Sequence, residues 1–330
     1  MDRRNALVAL ASAGCAALTP RWGNAQMRYP DRPIRLIVPF APGGETDLIG
    51  RLWANKIAPH IAGGAIVVDN RAGAGGAIGA SEVARAKPDG YVLLSGTTTT
   101  HIINPAATAK PTYDAARDFV VVTIISTTPT CVVVHPSHPA TNLKALAAWA
   151  QAAPGRYVYG SAGPGTITNL TGELFKLAGG GLQIQHVPYK GAGPGLQDLI
   201  AGHIPMFTPI VSSSVLAQHR AGRVRVLAVN STERLKAAPD LPTSIESGYP
   251  DMQVVVFNAI FAPAGTPNNV LEVLRGATAK ARAQDDFSGD LERAGAQMFA
   301  DPSPAHAHAF LRDEATRWGP IIKASGFKIE

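Results

Sequence analysis

Short apolar runs alternate with segments of helical period along the first third of the chain. The runs at 34–40, 65–70 and 91–96 predict buried strands, and the segment 77–86 predicts a helix before the third run. Strands that alternate with helices are typical of an α/β protein with a parallel sheet, whose ligands gather at the carboxyl ends of its strands. Another helix is predicted between the first two runs, with one face formed by Leu48, Ile49, Leu52, Trp53 and Ile57.

Two longer β-rich stretches, from 118 to 136 and from 252 to 263, divide the chain. We interpret them as crossings between two lobes, which form a hinge that can close on a ligand. Lobe 1 is then discontinuous, with residues 27–126 plus 253–330, and lobe 2 holds residues 127–252. The elements predicted between the crossings are helices near 141–152, 194–201 and 212–221, a helix with Ile167, Leu170, Leu174 and Leu177 on one side, and strands at 156–160, 182–187 and 224–229.

Residues 1–25 are predicted to be a signal peptide. Arg3 and Arg4 precede an apolar stretch that is too short to span a membrane, and Gly23 and Ala25 form a small-x-small cleavage site. The paired arginines are compatible with twin-arginine (Tat) export, but the match is weak, so Sec export remains equally open. Lipid attachment at Cys15 is the less favoured alternative, because Ser12 stands where a leucine is usual.

Composition and charge narrow the function classes. The chain has 330 residues, of which 6% are aromatic and 16% charged, and its net charge is +6. These values suit an ordered α/β protein of about two domains. Without a basic cluster interleaved with aromatic residues, nucleic acid is not an expected partner, whereas a mild positive charge helps to attract an anionic solute. Cys131 would be the only cysteine after processing, and we expect it to be a buried strand residue.

Glycine-rich turns follow several predicted strands and precede helices. The first turn, "PFAPGGETD", places Gly43 and Gly44 where the first amides of a helix lack internal acceptors and therefore attract an anion. We expect Thr46 or Asp47 to cap this helix, although an ordinary strand–turn–helix corner has the same pattern. The turn "NRAGAGGAIGA" fails as a dinucleotide motif because Ile78 replaces its last glycine, so no cofactor is expected.

Other polar residues raise further possibilities. "SGTTTTH" brings hydroxyls and an imidazole to the end of a strand, which suits either a binding wall or a solvated loop. "YGSAGPGT" is not a hydrolase elbow, because Tyr159 stands where that turn needs glycine, and Ser161 or Thr166 is better interpreted as a helix cap. No metal site is predicted, because the paired histidines His135 and His138, and likewise His306 and His308, lack further ligands. No catalytic group is predicted either.

The mature chain resembles the Bug family, the periplasmic solute-binding proteins of tripartite tricarboxylate transporters. The resemblance covers about residues 28 to 330 and depends on the order of many short segments. They include "YPDRPIRLIVPFAPGGETD", "VVDNRAGAGGAIGA", "KPDGYVLLSGT", "YGSAGPGT", "HVPYKGAGPGLQDLIAGHI" and "RWGPIIKASGFK".

This resemblance implies a two-lobed Venus-flytrap fold, a periplasmic location, a small carboxylate as ligand and a membrane permease as partner. It also implies that two loops facing each other across the cleft hold one carboxylate through backbone amides and hydroxyls. The implied binding residues are Phe40, Ala41, Pro42, Gly43, Gly44 and Asp47 in lobe 1, Ser161, Ala162, Gly163, Gly165 and Thr166 in lobe 2, and, as further wall residues, Thr97, Thr98, Thr99, His101, Tyr189, Lys190 and Gly191.

Two departures bear on the ligand. Pro205 and Pro209 stand where family members commonly carry acidic residues, so an α-amino group on the ligand would lack an acceptor there. The resemblance leaves one alternative open, a ligand sensor for the periplasmic domain of a receptor kinase. A secreted hydrolase using Ser161 or Cys131 is the less favoured class.

Overall fold

The protein was analysed as a computed structural model, which describes residues 29–61 and 65–324. The predicted signal peptide, residues 1–25, lies outside these ranges. Eleven strands in the described residues form two sheets. The first sheet has the order β11-β4-β10-β3-β1-β2 and the second β7-β6-β8-β5-β9. The strands are β1 Ile34–Val38, β2 Ile66–Asn70, β3 Val92–Thr97, β4 Phe119–Pro129, β5 Cys131–Val134, β6 Tyr157–Ser161, β7 Ile184–Pro188, β8 Met206–Phe207, β9 Arg225–Val229, β10 Val255–Pro263 and β11 Gln297–Met298.

Helices connect and cover the strands of both sheets. We call the first sheet with its helices lobe 1 (29–129 and 255–324) and the second lobe 2 (131–253). The helices are α1 Glu45–Ile57, α2 Ala77–Ala84, α3 Asn104–Ala107, α4 Leu143–Ala152, α5 Ile167–Ala178, α6 Ala192–Ile200, α7 Ser213–Arg220, α8 Asn268–Arg282, α9 Asp285–Arg293 and α10 Pro304–Ala324.

The sheets are mixed, which corrects the expectation of a parallel sheet. β1 pairs in parallel with β2 and β3, but β10 runs antiparallel to both β3 and β4. The cause is the connection between the lobes. β4 carries the chain toward lobe 2 and β10 carries it back, so two neighbouring strands that serve these crossings must run in opposite directions.

The first crossing takes place at a single residue. β4 continues to Pro129 and pairs there with β10, so the predicted boundary at 126/127 falls inside a strand of the first sheet. Thr130 stands between β4 and β5, and its amide donates to the Val254 carbonyl on the returning chain at 2.9 Å. The Asn230 side chain donates to the Thr130 hydroxyl at 2.9 Å. These bonds tie the two crossings together.

Both faces are buried in the inner strands β1, β3, β4, β10 and β5, which explains why these strands have nearly continuous apolar runs. In β1, Leu36 packs with α1 and α8, whereas Ile37 packs in the cluster that contains residues of α2. The indole of Trp53 on α1 is fully buried and donates to the Thr278 hydroxyl of α8 at 3.1 Å. Cys131 is a fully buried strand residue of lobe 2, as predicted.

Several local features differ from the sequence expectations. The threonine-rich segment after β3 forms a π-helical turn, Thr99–Ile103, rather than an open loop. The strands β8 and β11 were not predicted, since each is only two residues long. Leu177 is 68% exposed, although its spacing placed it on the apolar face of α5. In the part of the chain that the structure describes, no helix is long and apolar enough to cross a membrane.

A buried and an exposed residue near the end of α5 yield a stability prediction. Phe175→Ala should lower the free energy of unfolding by about 3–5 kcal/mol, because Phe175 is fully buried in lobe 2. Leu177→Ala on the same helix should change it by less than about 0.5 kcal/mol. Urea unfolding followed by circular dichroism measures both. Similar losses in the two variants would contradict this packing of α5.

Candidate functional site

The turn between β1 and α1 is shaped by glycine and held by one carboxylate. Gly43 has φ +83°, a left-handed conformation that residues with a side chain rarely adopt. Asp47 accepts hydrogen bonds from the Gly43 amide at 3.0 Å and from Asn70 at 2.9 Å. The helix begins at Glu45 after Gly44, so neither Thr46 nor Asp47 is its N-cap and that prediction is wrong. Asp47 instead fixes the turn before the helix.

The ionised form of Asp47 is favoured inside this turn. Burial opposes ionisation, but hydrogen bonds from Arg51, from the Gly43 amide and from Asn70 outweigh it and lower the pKa of Asp47. The Arg51 guanidinium donates to Asp47 Oδ1 at 3.0 Å. This carboxylate is therefore fully occupied by protein donors, which suits a structural role in the turn.

The corresponding turn of lobe 2 follows β6 and leads into α5. Thr166 is the N-cap of α5, as predicted, and its hydroxyl accepts from the Asn169 amide at 3.2 Å. Ser161 is fully buried, with its Oγ 3.1 Å from both the amide and the carbonyl of Gly163. Its Oγ also lies 2.7 Å from His186 Nε2. Ser161 thus holds the shape of the turn from inside.

A third turn, after β7, brings the start of α6 against the first turn. The Ala41 amide donates to the Lys190 carbonyl across the lobes at 3.1 Å. A Cβ added at Gly191 would lie 2.7 Å from the Ala41 nitrogen, so only glycine permits this approach. Ala192 also lies close to Gly44, because a Cβ added at Gly44 would lie 3.5 Å from the Cβ of Ala192.

The beginnings of three helices therefore surround one cavity between the lobes. α1 belongs to lobe 1, whereas α5 and α6 belong to lobe 2. Their first amides lack intrahelical acceptors, and each helix carries partial positive charge at this end. The cavity measures about 20 Å³, which is room for about one water molecule. Its lining consists of Phe40, Gly44, Glu45, Thr46, Thr97, Thr99, Ala162, Thr166, Ile167, Thr168, Ala192 and Ile210.

A larger crevice lies next to this inner cavity. Phe40 and Ala162 line both spaces, and the crevice measures about 270 Å³. The turn from Gly73 to Gly76 forms one wall, and Pro164, Pro188, Tyr189 and Lys190 form the other. The two spaces therefore adjoin at Phe40 and Ala162, and Lys190 lies in the wall of the outer one.

One hydrogen bond crosses the inner cavity. The Ile167 amide, the first of α5, donates to the Thr99 hydroxyl of lobe 1 at 3.0 Å. With room for about one water, the cavity accepts an organic acid only if the lobes move apart. When the lobes are apart, the Thr99 hydroxyl no longer accepts from the Ile167 amide, and this amide can donate to a bound anion instead.

The structure brings most of the predicted site residues to this interface. Phe40, Gly44, Thr97, Thr99, Ala162 and Thr166 line the inner cavity, and Tyr189 and Lys190 line the crevice. Ala41 and Pro42 contact the start of α6. The remaining loop residues act within their turns, namely Gly43, Asp47, Ser161, Gly163 and Gly165.

Two predicted wall residues do not line the cleft. The Thr98 hydroxyl accepts from the Phe257 amide at 3.0 Å inside lobe 1. The His101 ring stacks on Phe261 at 3.6 Å between centroids and lines a separate cavity of about 430 Å³ beside α10. Because residues two apart in a helical turn point in nearly opposite directions, Thr99 faces lobe 2 while His101 does not. Burial lowers the pKa of His101 to about 3.

Several lining residues were missed by sequence reasoning. Ala192 could have been found, because "KGAGPG" after β7 repeats the strand–glycine–helix pattern of the other turns. Thr168 and Ile210 had no local feature that set them apart. Glu45 was overlooked for another reason, since an acidic residue in the first helical turn is normally solvated.

Glu45 is buried, with 2% of its surface exposed. Its Oε1 accepts hydrogen bonds from the Thr128 hydroxyl at 2.7 Å and from the Asn258 amide nitrogen at 2.6 Å. Burial raises the pKa of Glu45 to about 7, although hydrogen bonds from Thr128, Asn258 and Thr46 favour the ionised form. A buried carboxyl with a raised pKa therefore lies in the wall of the inner cavity.

The geometry gives little support to a hydrolase. Ser161 and His186 are in hydrogen-bond range, but Ser161 is buried within its turn, and burial lowers the pKa of His186 to about 4. Burial raises the pKa of the Cys131 thiol, which opposes its use as a nucleophile. Among residues 29–61 and 65–324, no group of three or more potential ligand side chains could hold a metal ion.

Comparison with known proteins gives one consistent family. Residues 49–327 match the model of the tripartite tricarboxylate transporter family receptor. BugT from Bordetella pertussis is 33% identical over 92% of both chains. A structure from R. palustris solved with adipate has 33% identity and a TM-score of 0.86, covering 91% of this chain and 99% of that one. MatC from Rhodopseudomonas palustris with bound malate has 29% identity and a TM-score of 0.84, covering 89% and 100%.

The buried carboxyl predicts a pH dependence of stability. The folded pKa of Glu45, about 7, lies above the ordinary value of 4.5. The neutral form therefore contributes stability that is fully present below pH 4.5 and is lost as pH rises through 7. The difference corresponds to about 3 kcal/mol. Glu45→Gln should remove this loss, so that the free energy of unfolding of wild type falls relative to that of the variant between about pH 4.5 and 7.

Urea unfolding of wild type and Glu45→Gln at several pH values measures this difference. Glu246→Gln is the control, because a backbone hydrogen bond from Thr243 and the Arg234 guanidinium lower the pKa of Glu246, which therefore titrates below that pH window. If wild type and Glu45→Gln lose stability in parallel from pH 5 to 8, Glu45 is already ionised at pH 5.

Proposed function

Because the chain belongs to the tripartite tricarboxylate transporter receptor family, the Bug proteins, we propose that it captures a small organic carboxylate between its lobes. In this proposal the protein works in the periplasm, after export directed by residues 1–25, and delivers the acid to the membrane permease of a tripartite transporter. The observation that carries the proposal is the convergence of the starts of α1, α5 and α6 on one cavity from both lobes.

Backbone amides suit capture followed by release. They stabilise an anion in a closed cleft through fixed dipoles, and they carry no net charge that would hold it after the lobes part. A ligand that touches both lobes binds the closed form better than the open form and therefore shifts the population toward closure. The crossings at Thr130 and Val254 are the proposed hinge for this motion.

Carboxylates are the ligand class that the relatives support. Structures of related proteins contain malate or adipate, which are small dicarboxylic acids. The crevice beside the inner cavity offers space for the rest of such a molecule, with Lys190 in its wall. An α-amino acid is less suited, because the segment around Pro205 and Pro209 supplies no carboxylate to accept an ammonium group.

We also propose that the ligand is released chemically unchanged. The residues that line the cavity are hydroxyl, apolar and glycine residues together with Glu45, and they include no nucleophile paired with a base. Incubation of the purified protein with each bound acid, followed by denaturation and mass spectrometry of the supernatant, tests this point. Recovery of a modified acid would show an enzyme.

A thermal-shift screen against mono-, di- and tricarboxylic acids, malate and adipate included, tests the function. An acid at about 100 times its dissociation constant should add about 2.7 kcal/mol to the stability of the folded protein. The melting temperature of the mature protein should therefore rise with at least one acid. The proposal fails if every acid leaves the melting temperature unchanged between pH 5.5 and 8.

A variant that fills the cleft tests the location of the site. Ala162→Leu should remove the acid-induced rise, because Ala162 lines both the inner cavity and the crevice. Ala279→Leu makes the same change on the exposed face of α8 and should leave the rise intact. A rise that persists in Ala162→Leu would place the ligand elsewhere.

A further inference from the structure

The hydrogen bonds of Glu45 are distributed unevenly between its two oxygens. Oε1 accepts from both Thr128 and Asn258, at 2.7 and 2.6 Å. Oε2 is buried and has no hydrogen-bond partner. An ionised carboxylate has two equivalent oxygens that both need donors, whereas a neutral acid has one carbonyl acceptor and one hydroxyl donor. The arrangement therefore matches a neutral acid with its carbonyl oxygen at Oε1 and its hydroxyl at Oε2.

A second side chain in the same wall also has a buried polar atom without a hydrogen-bond partner. Thr97 Oγ1 is buried and without a hydrogen-bond partner, and Thr97 lines the inner cavity together with Glu45. Buried polar atoms are rarely left unpaired, because each carries a desolvation penalty of about 1–3 kcal/mol. If Glu45 is neutral, its Oε2 and the Thr97 hydroxyl each carry a proton that can be donated to a hydrogen-bond acceptor.

We propose that neutral Glu45 donates a hydrogen bond from Oε2 to a carboxylate oxygen of the solute, so that the anion binds together with one proton. This inference rests on the proposed function. It assigns to the Glu45 carboxyl the selection of a solute that has a hydrogen-bond acceptor at this position. Thr97 Oγ1 donates beside it. No covalent bond changes: the proton comes from solvent, stays on Glu45 while the solute is bound, and can return to solvent after release.

The surroundings of Glu45 favour the proton. The groups that face its carboxyl are Thr128 on β4, Asn258 on β10 and Thr46 on its own helix, none of which is charged. In the described lining of the cavity, the residues from the other elements are apolar, glycine or hydroxyl residues. An ionised Glu45 would thus lie beside an anionic solute with no cation between them. Two like charges in one site repel each other, which favours protonation of one of them. Burial raises the pKa of Glu45 to about 7, so the protonation needed is available near neutral pH.

Proton uptake on binding is the measurable consequence. The experiment is isothermal titration calorimetry of the full mature protein with malate, adipate and each acid that raises the melting temperature, from pH 6 to 8.5. Phosphate and Tris buffers, which differ in ionisation enthalpy, report the number of protons taken up. In wild type the uptake should rise from near zero at pH 6 to near one at pH 8.5, while affinity falls toward tenfold per pH unit.

Glu45→Gln separates this role from a structural one. Glutamine keeps an acceptor for Thr128 and Asn258 and a donor toward the cavity, but it does not titrate. Its proton uptake should be near zero at every pH, and at pH 8.5 it should bind the acid about thirtyfold more tightly than wild type, because a carboxyl with a pKa of about 7 is protonated there in only about one molecule in thirty. Glu246→Gln, an exposed change in lobe 2, should behave as wild type.

The outcomes distinguish the two proposals. An acid that binds wild type without proton uptake, or with equal pH dependence in Glu45→Gln, overturns the role of Glu45 and leaves the carboxylate function intact. Tight binding of aspartate that Glu45→Gln abolishes would overturn it too, because Glu45 would then be an ionised acceptor. Absence of binding by every acid overturns the carboxylate function itself.

The protonation state of Glu45 can also be measured in the protein without a bound organic acid. Infrared difference spectra between wild type and Glu45→Gln at pH 6 should contain the carbonyl stretch of a protonated carboxyl, and this band should disappear as pH rises above 8. Its absence at pH 6 would show that Glu45 is ionised there and would overturn the inference.

Discussion

The candidate site depends on main-chain amides that helices leave without partners at their beginnings. Three such beginnings meet because the backbones of the two lobes approach closely, and Gly191 permits this where a Cβ would lie 2.7 Å from the Ala41 nitrogen. The side chains nearby serve this arrangement. Asp47 holds the first turn through the Gly43 amide, and Ser161 holds the second from inside. In the proposed site the helix starts supply backbone amides, and these two side chains determine where the amides point.

The same interface explains why the chain crosses between the lobes twice. β4 and β10 pair along nearly their whole length, so the crossings leave lobe 1 from one place. Thr130, Asn230 and Val254 bond to one another there, at the place of the proposed hinge. The Ile167 amide donates to the Thr99 hydroxyl across the lobes, and the proposed opening would free that amide. Hinge and site are thus coupled through α5, whose first turn lines the cavity.

Local patterns predicted what depends on local chemistry. The glycine turns around Gly44 and Thr166, the strands and most helices follow from spacing and backbone preference, and the structure confirms a two-lobed α/β fold. The directions of the side chains could not be predicted from these local patterns. His101 faces away from the cleft because Thr99–Ile103 is helical, which a run of threonines does not indicate. The burial of Glu45 depends on Thr128 and Asn258, which lie 83 and 213 residues away in the chain.

Glu45 also shows how a site made of amides could become selective. The dipole at the start of α1 favours an ionised carboxyl by about 0.3–1 kcal/mol. Burial acts in the opposite direction and is stronger, since the rise in the pKa of Glu45 from 4.5 to about 7 represents about 3 kcal/mol. A helix start alone accepts many small anions, because its amides and dipole recognise negative charge on an acceptor atom and little else about the solute. A neutral carboxyl and the Thr97 hydroxyl add the requirement that an acceptor atom meet two donors at fixed positions, so shape and hydrogen bonding discriminate where charge cannot.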